Sequence, residues 1–431
     1  MPSAPRRRHP VVRLLSPLRD FLHTEAAGGV LLVIAAAVAL VWANSPWNES
    51  YARLWESTAS ITAGGHTLSL DLRHWVNDAA MTVFFLVVGL EIKRELTSGH
   101  LAGRQAAALP VAAALGGMVV PALIYLAIAG GTDARGWGVP MATDIALAVG
   151  VLALLGSRVS PPMRAFLLGL AIVDDIGAIV IIAAVYSTGV SWGWLAAAAA
   201  GVATVVVIRW LGVHHLLAYV AVGAVVWFAL HEAGVHPTLG GVAMGLLAPS
   251  TPRVQPELID TDELRDISTP EQARLTSDLA RSSVSVVEYL QHVLHPWTSY
   301  LIVPIFALAN SGIEISGESI RDAAGSAVAW GVFAGLVVGK PLGVVLAASA
   351  AARTSLAELP SGTPQRQLLG VGASAGIGFT VAIFISELAF TDPTRQAEAK
   401  LAILVASLVS ALLAAAVLSL GQTGRRVRHR G

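Results

Sequence analysis

The chain of 431 residues has no cysteine. Disulfides, thiol nucleophiles and thiolate metal sites are therefore excluded. Charge is scarce as well. Asp, Glu, Lys and Arg make up 13% of the residues, about half the share of a soluble domain. Long polar stretches are almost missing, the exception being Thr251 to about Val284, rich in Asp, Glu and Arg. What fills the chain is hydrophobic, 55% of it, in repeated long apolar runs. That pattern defines a polytopic membrane protein. The formal net charge is zero but unevenly placed: Arg6, Arg7, Arg8, Arg13 and Arg19 crowd one end, and Arg425, Arg426, Arg428 and Arg430 the other. Beside membrane spans such clusters fix orientation, and no nucleic acid partner is expected. The first apolar run, Val30 to Trp42, lacks a cleavage site and reads as a retained span rather than a signal peptide.

Hydropathy predicts an all-α membrane protein of about twelve transmembrane helices, at roughly 26–44, 74–92, 106–130, 137–156, 163–187, 190–210, 213–231, 234–249, 285–312, 326–352, 367–389 and 398–420. An even number puts both termini on one side. Lys93, Arg94, Arg104, Arg158, Arg164, Arg209, Arg353 and Arg366 fall in loops on that side, against Arg53, Arg73, Arg135 and Arg321 opposite. The positive-inside rule makes the termini cytoplasmic. The expected organisation is a basic N-terminus over 1–25, one transporter domain over 26–420 and a basic tail over 421–431. Within the domain, 251–284 reads as a cytoplasmic linker. Residues 60–70 alternate around Gly64-Gly65 and predict a small periplasmic β-hairpin. An isolated hairpin is marginal in water, so this one is expected to pair, for instance with its copy in a second subunit.

Spans three to five and ten to twelve are seven apart, so corresponding members run in opposite directions. The middle member of each triplet is interrupted. Gly138-Val139-Pro140 precedes Met141-Ala142-Thr143-Asp144 in span four, and Gly372, Gly376 and Gly378 precede Phe379-Thr380 in span eleven. Broken helices at matching places in inverted units mark a transporter's midplane site.

Asp174 and Asp175 lie in the apolar run from Ala165 to Val185, about 15 Å along the helix from Arg164 and close to the bilayer midplane. A charge at that depth costs ~2.5–3.5 kcal/mol, and intramembrane acids mark ion or proton paths. Helix neighbours are about 100° apart, so the two carboxylates face different surroundings. Asp144 is a third acid, with the Thr143 hydroxyl beside it. Carboxylate, hydroxyl and unwound carbonyl oxygens suit a small hard cation, and carboxylates also hold protons. A site of this kind makes the two compete, which is the minimum for exchange. Lys340, in Gly335-Leu336-Val337-Val338-Gly339-Lys340-Pro341, is too deep to snorkel. Asp174 is its preferred partner; a structural role balancing Asp144 between the broken helices is the alternative.

Other charged groups lie nearer the surfaces. Glu91, Lys93, Arg94 and Glu95 cluster at the inner end of the second span, where Glu91 and Glu95 share a face. Asp78, near the outer end of that span, is placed to line an exit. Glu288, His292 and His295 share one face at the start of the ninth span and read as groups titrating near neutral pH rather than metal ligands. His231 and His236 only superficially resemble a zinc-protease signature, because five residues do not bring two histidines onto one face.

Several segments together resemble the NhaA family of bacterial sodium/proton antiporters: Asn77-Asp78 through Phe84-Phe85-Leu86-Val87-Val88-Gly89-Leu90-Glu91, Lys93-Arg94-Glu95-Leu96, Ala142-Thr143-Asp144-Ile145-Ala146, Val173-Asp174-Asp175-Ile176-Gly177, His295-Pro296-Trp297, Gly339-Lys340-Pro341 and Gly376-Ile377-Gly378-Phe379-Thr380. The resemblance runs from the first span to the twelfth, and the family is a known case of inverted repeats. It implies an electrogenic exchanger in the bacterial cytoplasmic (inner) membrane, serving pH homeostasis. Such an exchanger expels Na⁺ or Li⁺ and imports more protons than it expels cations, without a cofactor. By motif match Asp174 and Asp175 carry the ion and protons, and Asp144 with Thr143 sits where the broken helices cross. Lys340 pairs with an acid or compensates the helix ends. The resemblance further implies activity at alkaline pH through a sensor like Glu91, Arg94, Glu95, His292 and His295, and a homodimer through a hairpin like 60–70. Two departures stand out. Gln291, with Glu288 and Tyr289 before it, replaces the family pattern at the sensor, and Ala382 replaces a serine after Phe-Thr.

The expectation is a pH-dependent Na⁺(Li⁺)/H⁺ antiporter working by alternating access. The competitors are a proton-coupled carrier of a small organic solute, which needs a roomier polar cavity, and an intramembrane aspartyl enzyme using Asp144 and Asp175 on facing helices.

Overall fold

Runs rich in Ala, Leu and Val fold as helices that pass back and forth between two ends of the molecule. The computed structural model describes residues 26–420 apart from 64–65, 100, 132, 188, 214, 253–283, 355–356 and 358–363. The expected basic ends 1–25 and 421–431, and nearly all of the 251–284 linker, lie outside the described residues. Helix α1 (Ala26–Ala43) turns by 114° into the short α2 (Asn48–Glu56). Strands β1 (Thr58–Ala63) and β2 (His66–Asp71) follow, antiparallel, with Thr58 opposite Asp71 and Ile61 opposite Leu68. This is the expected hairpin. Its end of the molecule is the hairpin end below, and the opposite one the far end.

Helix α3 (Leu72–Thr97) starts under the hairpin. Asp71 caps it by accepting from His74 N at 2.7 Å, and Trp75 Nε1 donates to Ala59 O at 3.0 Å, tying strand to helix. Then come α4 (Arg104–Ala129), a tight 3₁₀ segment (Ala134–Met141), α5 (Ile145–Leu155), α6 (Pro161–Val185), α7 (Trp192–Trp210), α8 (Leu216–Glu232) and α9 (Thr238–Leu247). After the linker run α10 (Val286–Asn310), α11 (Gly317–Gly325) and α12 (Ala327–Arg353). The chain ends in α13 (Gln365–Ala375), α14 (Phe379–Ala389) and α15 (Pro393–Ser419). Among the described residues eight helices are long and apolar enough to cross a membrane, or up to ten if each bent pair counts as one.

Two spans differ from expectation in form. The eighth, expected over 234–249, is only the ten-residue α9, because Pro237 precedes it and Pro249 follows it. The first half of the fourth is 3₁₀ rather than α-helical, since Gly136, Gly138 and Pro140 fall within eight residues.

Packing divides the spans into a panel (α1, α3, α7, α8, α9, α10) and a core unit (α4, the 3₁₀ segment with α5, α6, α12, α13 with α14, α15), which meet along α1–α5, α3–α6 and α10–α14. Small residues draw helices together in each. A Cβ on Gly245 would strike the Leu86 carbonyl of α3, and one on Gly343 would strike the Gly116 carbonyl of α4. The core contains the inverted repeat: α4, broken span, α6 against α12, broken span, α15. In the second broken span α13 and α14 meet at 47° across Gly376–Gly378.

Candidate functional site: the crossing of the broken helices

The two interrupted spans meet backbone to backbone. Asp144 N donates to Ile377 O at 2.6 Å, and a Cβ on Gly378 would press against Ala142 O at 3.0 Å. Between Met141 and Ile145 the chain is extended, so Thr143 and Asp144 project from unwound backbone. Asp144 lies between two helix N-termini. Its Oδ1 accepts from Leu147 N in α5 at 3.0 Å, while its Oδ2 accepts from Thr380 N at 3.0 Å and Thr380 Oγ1 at 2.7 Å in α14. Both half-helix dipoles point their positive ends at this carboxylate, which compensates them together.

Asp174 and Asp175 come from α6, directly beside the crossing. Asp174 and Lys340 are both 0% exposed, and Lys340 Nζ donates to Asp174 Oδ2 at 2.6 Å. The same ammonium donates to Met141 O, the last carbonyl of the 3₁₀ half. Lys340 thus satisfies an acid and a helix C-terminus at once. A widened π-turn over Gly335–Gly339 sets its position; Pro341 has no N–H to donate to the turn before it, and such bulges accommodate the gap. Thr143 Oγ1 lies 2.7 Å from Asp174 Oδ2 and 2.9 Å from Ala375 O. One hydroxyl proton faces two acceptors.

Asp174 Oδ1 and Asp175 Oδ1 are buried and have no hydrogen-bond partner. Buried oxygens are rarely left so, and here they are free to take a proton or a small cation. Asp175 feels the charges of Asp174, Glu91, Asp144 and Lys340. The structure therefore brings together Thr143, Asp144, Asp174, Asp175 and Lys340, with Glu91 within electrostatic reach. Ala382 is buried in α14 one turn past Gly378.

The residues expected to sense pH, with Glu288 and Gln291, occupy the far end. Glu91, Arg94 and Glu95 lie on α3, which packs on α10, and Arg94 Nη2 is 3.4 Å from Glu95 Oε1. His292 and His295 are exposed on α10, and the Arg94 charge reaches His295. Glu288 is engaged in a capping box with Ser285, accepting from Ser285 Oγ at 3.0 Å. Gln291 is turned inward and buried.

Sequence reasoning set aside the histidines near α9. In the structure they flank Asp78, with His236 Nε2 3.5 Å from Oδ1 and His231 Nδ1 3.8 Å from Oδ2. A π-turn over Val76–Ala80 presents Asp78, and Trp227 stacks between Trp75 and His231. Five residues do separate the histidines on the chain, but Gly234 at φ 72° folds the connection so that both reach the same acid. Three further polar pairs also went unnoticed: Lys400 with Glu387, Arg395 with Glu398 at 3.0 Å, and Arg395 with Asp133 at 3.4 Å. For Glu387, Glu398 and Lys400, charges within predicted spans were the available signal, whereas Asp133 and Arg395 fall between predicted spans.

Half-helices that cross in mid-span, over a buried carboxylate pair and its lysine, define a secondary transporter built on an inverted repeat. The chain belongs to the family described as Na+/H+ antiporter 1, which matches residues 19–418. It is 47% identical to Na(+)/H(+) antiporter NhaA 2 of Sorangium cellulosum (strain So ce56) over 94% of this chain and 90% of that one. It is 48% identical to Na(+)/H(+) antiporter NhaA 2 of Myxococcus xanthus (strain DK1622), over 92% and 88%. Among solved structures, the sodium proton antiporter MjNhaP1 of Methanocaldococcus jannaschii shares the fold, with a TM-score of 0.50 over 95% of each chain at 13% identity. The chain is thus a multi-pass membrane antiporter of the NhaA family, a transporter rather than an enzyme. Sodium and protons are its cargo and no cofactor is needed. Among the described residues no group of three or more His, Asp or Glu is set to hold a metal ion.

Proposed function

We propose that the chain is a pH-regulated, electrogenic Na⁺(Li⁺)/H⁺ antiporter that works by alternating access, with Asp174 and Asp175 as the shared carrier of cation and protons. The observation that carries this reading is the pair of unpartnered buried oxygens, Asp174 Oδ1 and Asp175 Oδ1, beside unwound backbone. Sodium displaces protons from both carboxylates. Lys340 holds Asp174 in place and limits the cost of burying it. More protons enter than cations leave, so each net charge draws ~2.3 kcal/mol from every 100 mV of membrane potential.

The far end, which carries Lys93, Arg94, Arg158, Arg164, Arg209, Arg353 and Arg366, is cytoplasmic by the positive-inside rule. It follows that both termini are cytoplasmic and the hairpin faces the periplasm of a bacterial inner membrane. Glu91, Arg94, Glu95, His292 and His295 stand at the cytoplasmic mouth as the pH-responsive group. The exposed edges of β1 and β2 pair with a second copy to form a homodimer. The basic termini 1–25 and 421–431 and the 251–284 linker flank and divide one transporter domain over 26–420.

The test is sodium- and lithium-driven proton movement in proteoliposomes, followed across pH with and without an imposed voltage. Exchange that rises with alkalinity and responds to voltage is expected. Absence of cation-dependent proton movement at every pH overturns the reading.

A further inference from the structure

We propose that Phe384 is the gate that closes the hairpin side of the carboxylate site. This rests on the exchange reading above and adds a residue that enforces it. Phe384 belongs to the core half-helix α14, yet its ring is seated in the panel. Its centroid lies 5.3 Å from Phe85 of α3, 6.2 Å from Phe306 of α10 and 4.9 Å from His236, just ahead of α9. Phe85, Phe306 and Phe384 are all buried.

The position of this aromatic layer follows from α3, which runs from the hairpin end to the far end. Asp78 lies seven residues before Phe85, about 10 Å toward the hairpin, and Glu91 six residues after it, about 9 Å toward the far end. Glu91 acts electrostatically on Asp175, whereas Asp78 meets His231 and His236. Polar groups therefore stand on both sides of a dry ring cluster, and no ion crosses such a layer without losing its water. His236 forms its hairpin-side rim, edge-on to Phe384 at 81° while its Nε2 faces Asp78.

Phe384 also sits one turn beyond Thr380, which grips Asp144 at the crossing. Any shift of the core that moves the crossing relative to the panel carries Phe384 with it. Withdrawing one ring from a pocket formed by three panel elements opens the path, and returning it closes the path. Aromatic–aromatic packing gives the closed arrangement a definite geometry.

The experiment uses the full chain in proteoliposomes and profits from its lack of cysteine. Phe384→Ala is expected to let sodium pass without a compensating proton, and Phe384→Leu, which still fills the layer, to keep exchange coupled. In the Phe85→Cys/Phe384→Cys double variant, oxidation or a short bifunctional thiol reagent joins panel to core. Linking is expected to stop sodium movement and reduction to restore it, while either single variant is indifferent to the treatment. Exchange that stays coupled in Phe384→Ala, or sodium movement that continues in the linked double variant, overturns the gate. Failure of the two thiols to link overturns it as well. Should Phe384→Ala not insert, the linked and reduced double variant decides. Wild-type protein that moves no protons with sodium instead removes the exchange reading itself, so the two failures are distinguishable.

Discussion

Lys340 Nζ stands 2.6 Å from Asp174 Oδ2, with neither side chain exposed. Desolvating two charges costs more than a surface pair would recover, so the arrangement holds only while both partners are present. Lys340→Met is expected to leave a bare buried carboxylate and to lower stability by ~3–5 kcal/mol. Lys340→Met/Asp174→Asn removes the orphan and should regain most of that loss without regaining exchange. Thermal unfolding of the purified variants, followed through tryptophan fluorescence, measures the first effect and sodium-driven proton movement the second. A single variant as stable as the wild type would show that the pair is not a structural tie.

Asp175 makes the opposite prediction. Its Oδ1 has no hydrogen-bond partner, and the charges of Asp174, Glu91 and Asp144 all oppose its own. Asp175→Asn keeps the shape and removes the charge, so stability should hold within ~1 kcal/mol or rise. Exchange should fall to background, because one of the two proton carriers is gone. A clearly lower unfolding temperature would assign Asp175 a structural role instead.

How far the sequence disclosed this protein depends on the length scale of each feature. Long apolar runs, the interrupted spans and the acids stranded within them are local, and Asp174, Asp144 and Lys340 stand out because each breaks a hydrophobic stretch. The hairpin was legible over 60–70 from alternation about Gly64-Gly65, and its strands, Thr58–Ala63 and His66–Asp71, reach slightly beyond that range. Features made by apposition were not. Phe384 reads as one more apolar residue until Phe85 and Phe306, far away in the chain, close around it. His231 and His236 failed a test for one helix face because they act across a turn at Gly234, not along a helix. Glu288 looked like part of a histidine face, but helix capping claims it, a competition visible only once Ser285 is seen at the N-terminus.

The hairpin junction carries a pH dependence of definite sign. Burial pushes the Asp71 carboxyl up, but hydrogen bonds from His74 N and the His74 ring, with the His74 and Arg73 charges, outweigh it and hold the group below its usual value of 3.8. A folded value below the unfolded one stabilises above 3.8, and that stabilisation is lost as pH falls through the lower folded value. The protection factors of the β1 and β2 amides against hydrogen exchange should therefore fall in acid below that point. Asp71→Asn still caps the helix but cannot titrate, so its protection factors should lack the acid step. An acid step that survives in Asp71→Asn would place the titrating group elsewhere.

At the crossing, Asp144 and Thr380 make a coupled pair whose energy can be isolated. Asp144 accepts three hydrogen bonds and lies between two helix N-termini, while Thr380 supplies two of the donors from α14. Asp144→Asn keeps one acceptor oxygen and no charge, so it loses part of the dipole compensation and at least one bond, a cost of ~1–3 kcal/mol. Thr380→Val removes the hydroxyl alone and should cost ~1 kcal/mol. Because the hydroxyl bond is counted in both, the double variant should cost less than the sum of the two singles. Additive losses in unfolding free energy would mean that the carboxylate and the hydroxyl stabilise their half-helices independently, and that the two broken spans are joined by backbone contact alone. Sub-additive losses accompanied by weakened exchange would instead show that this contact keeps α14 in step with α5 during transport.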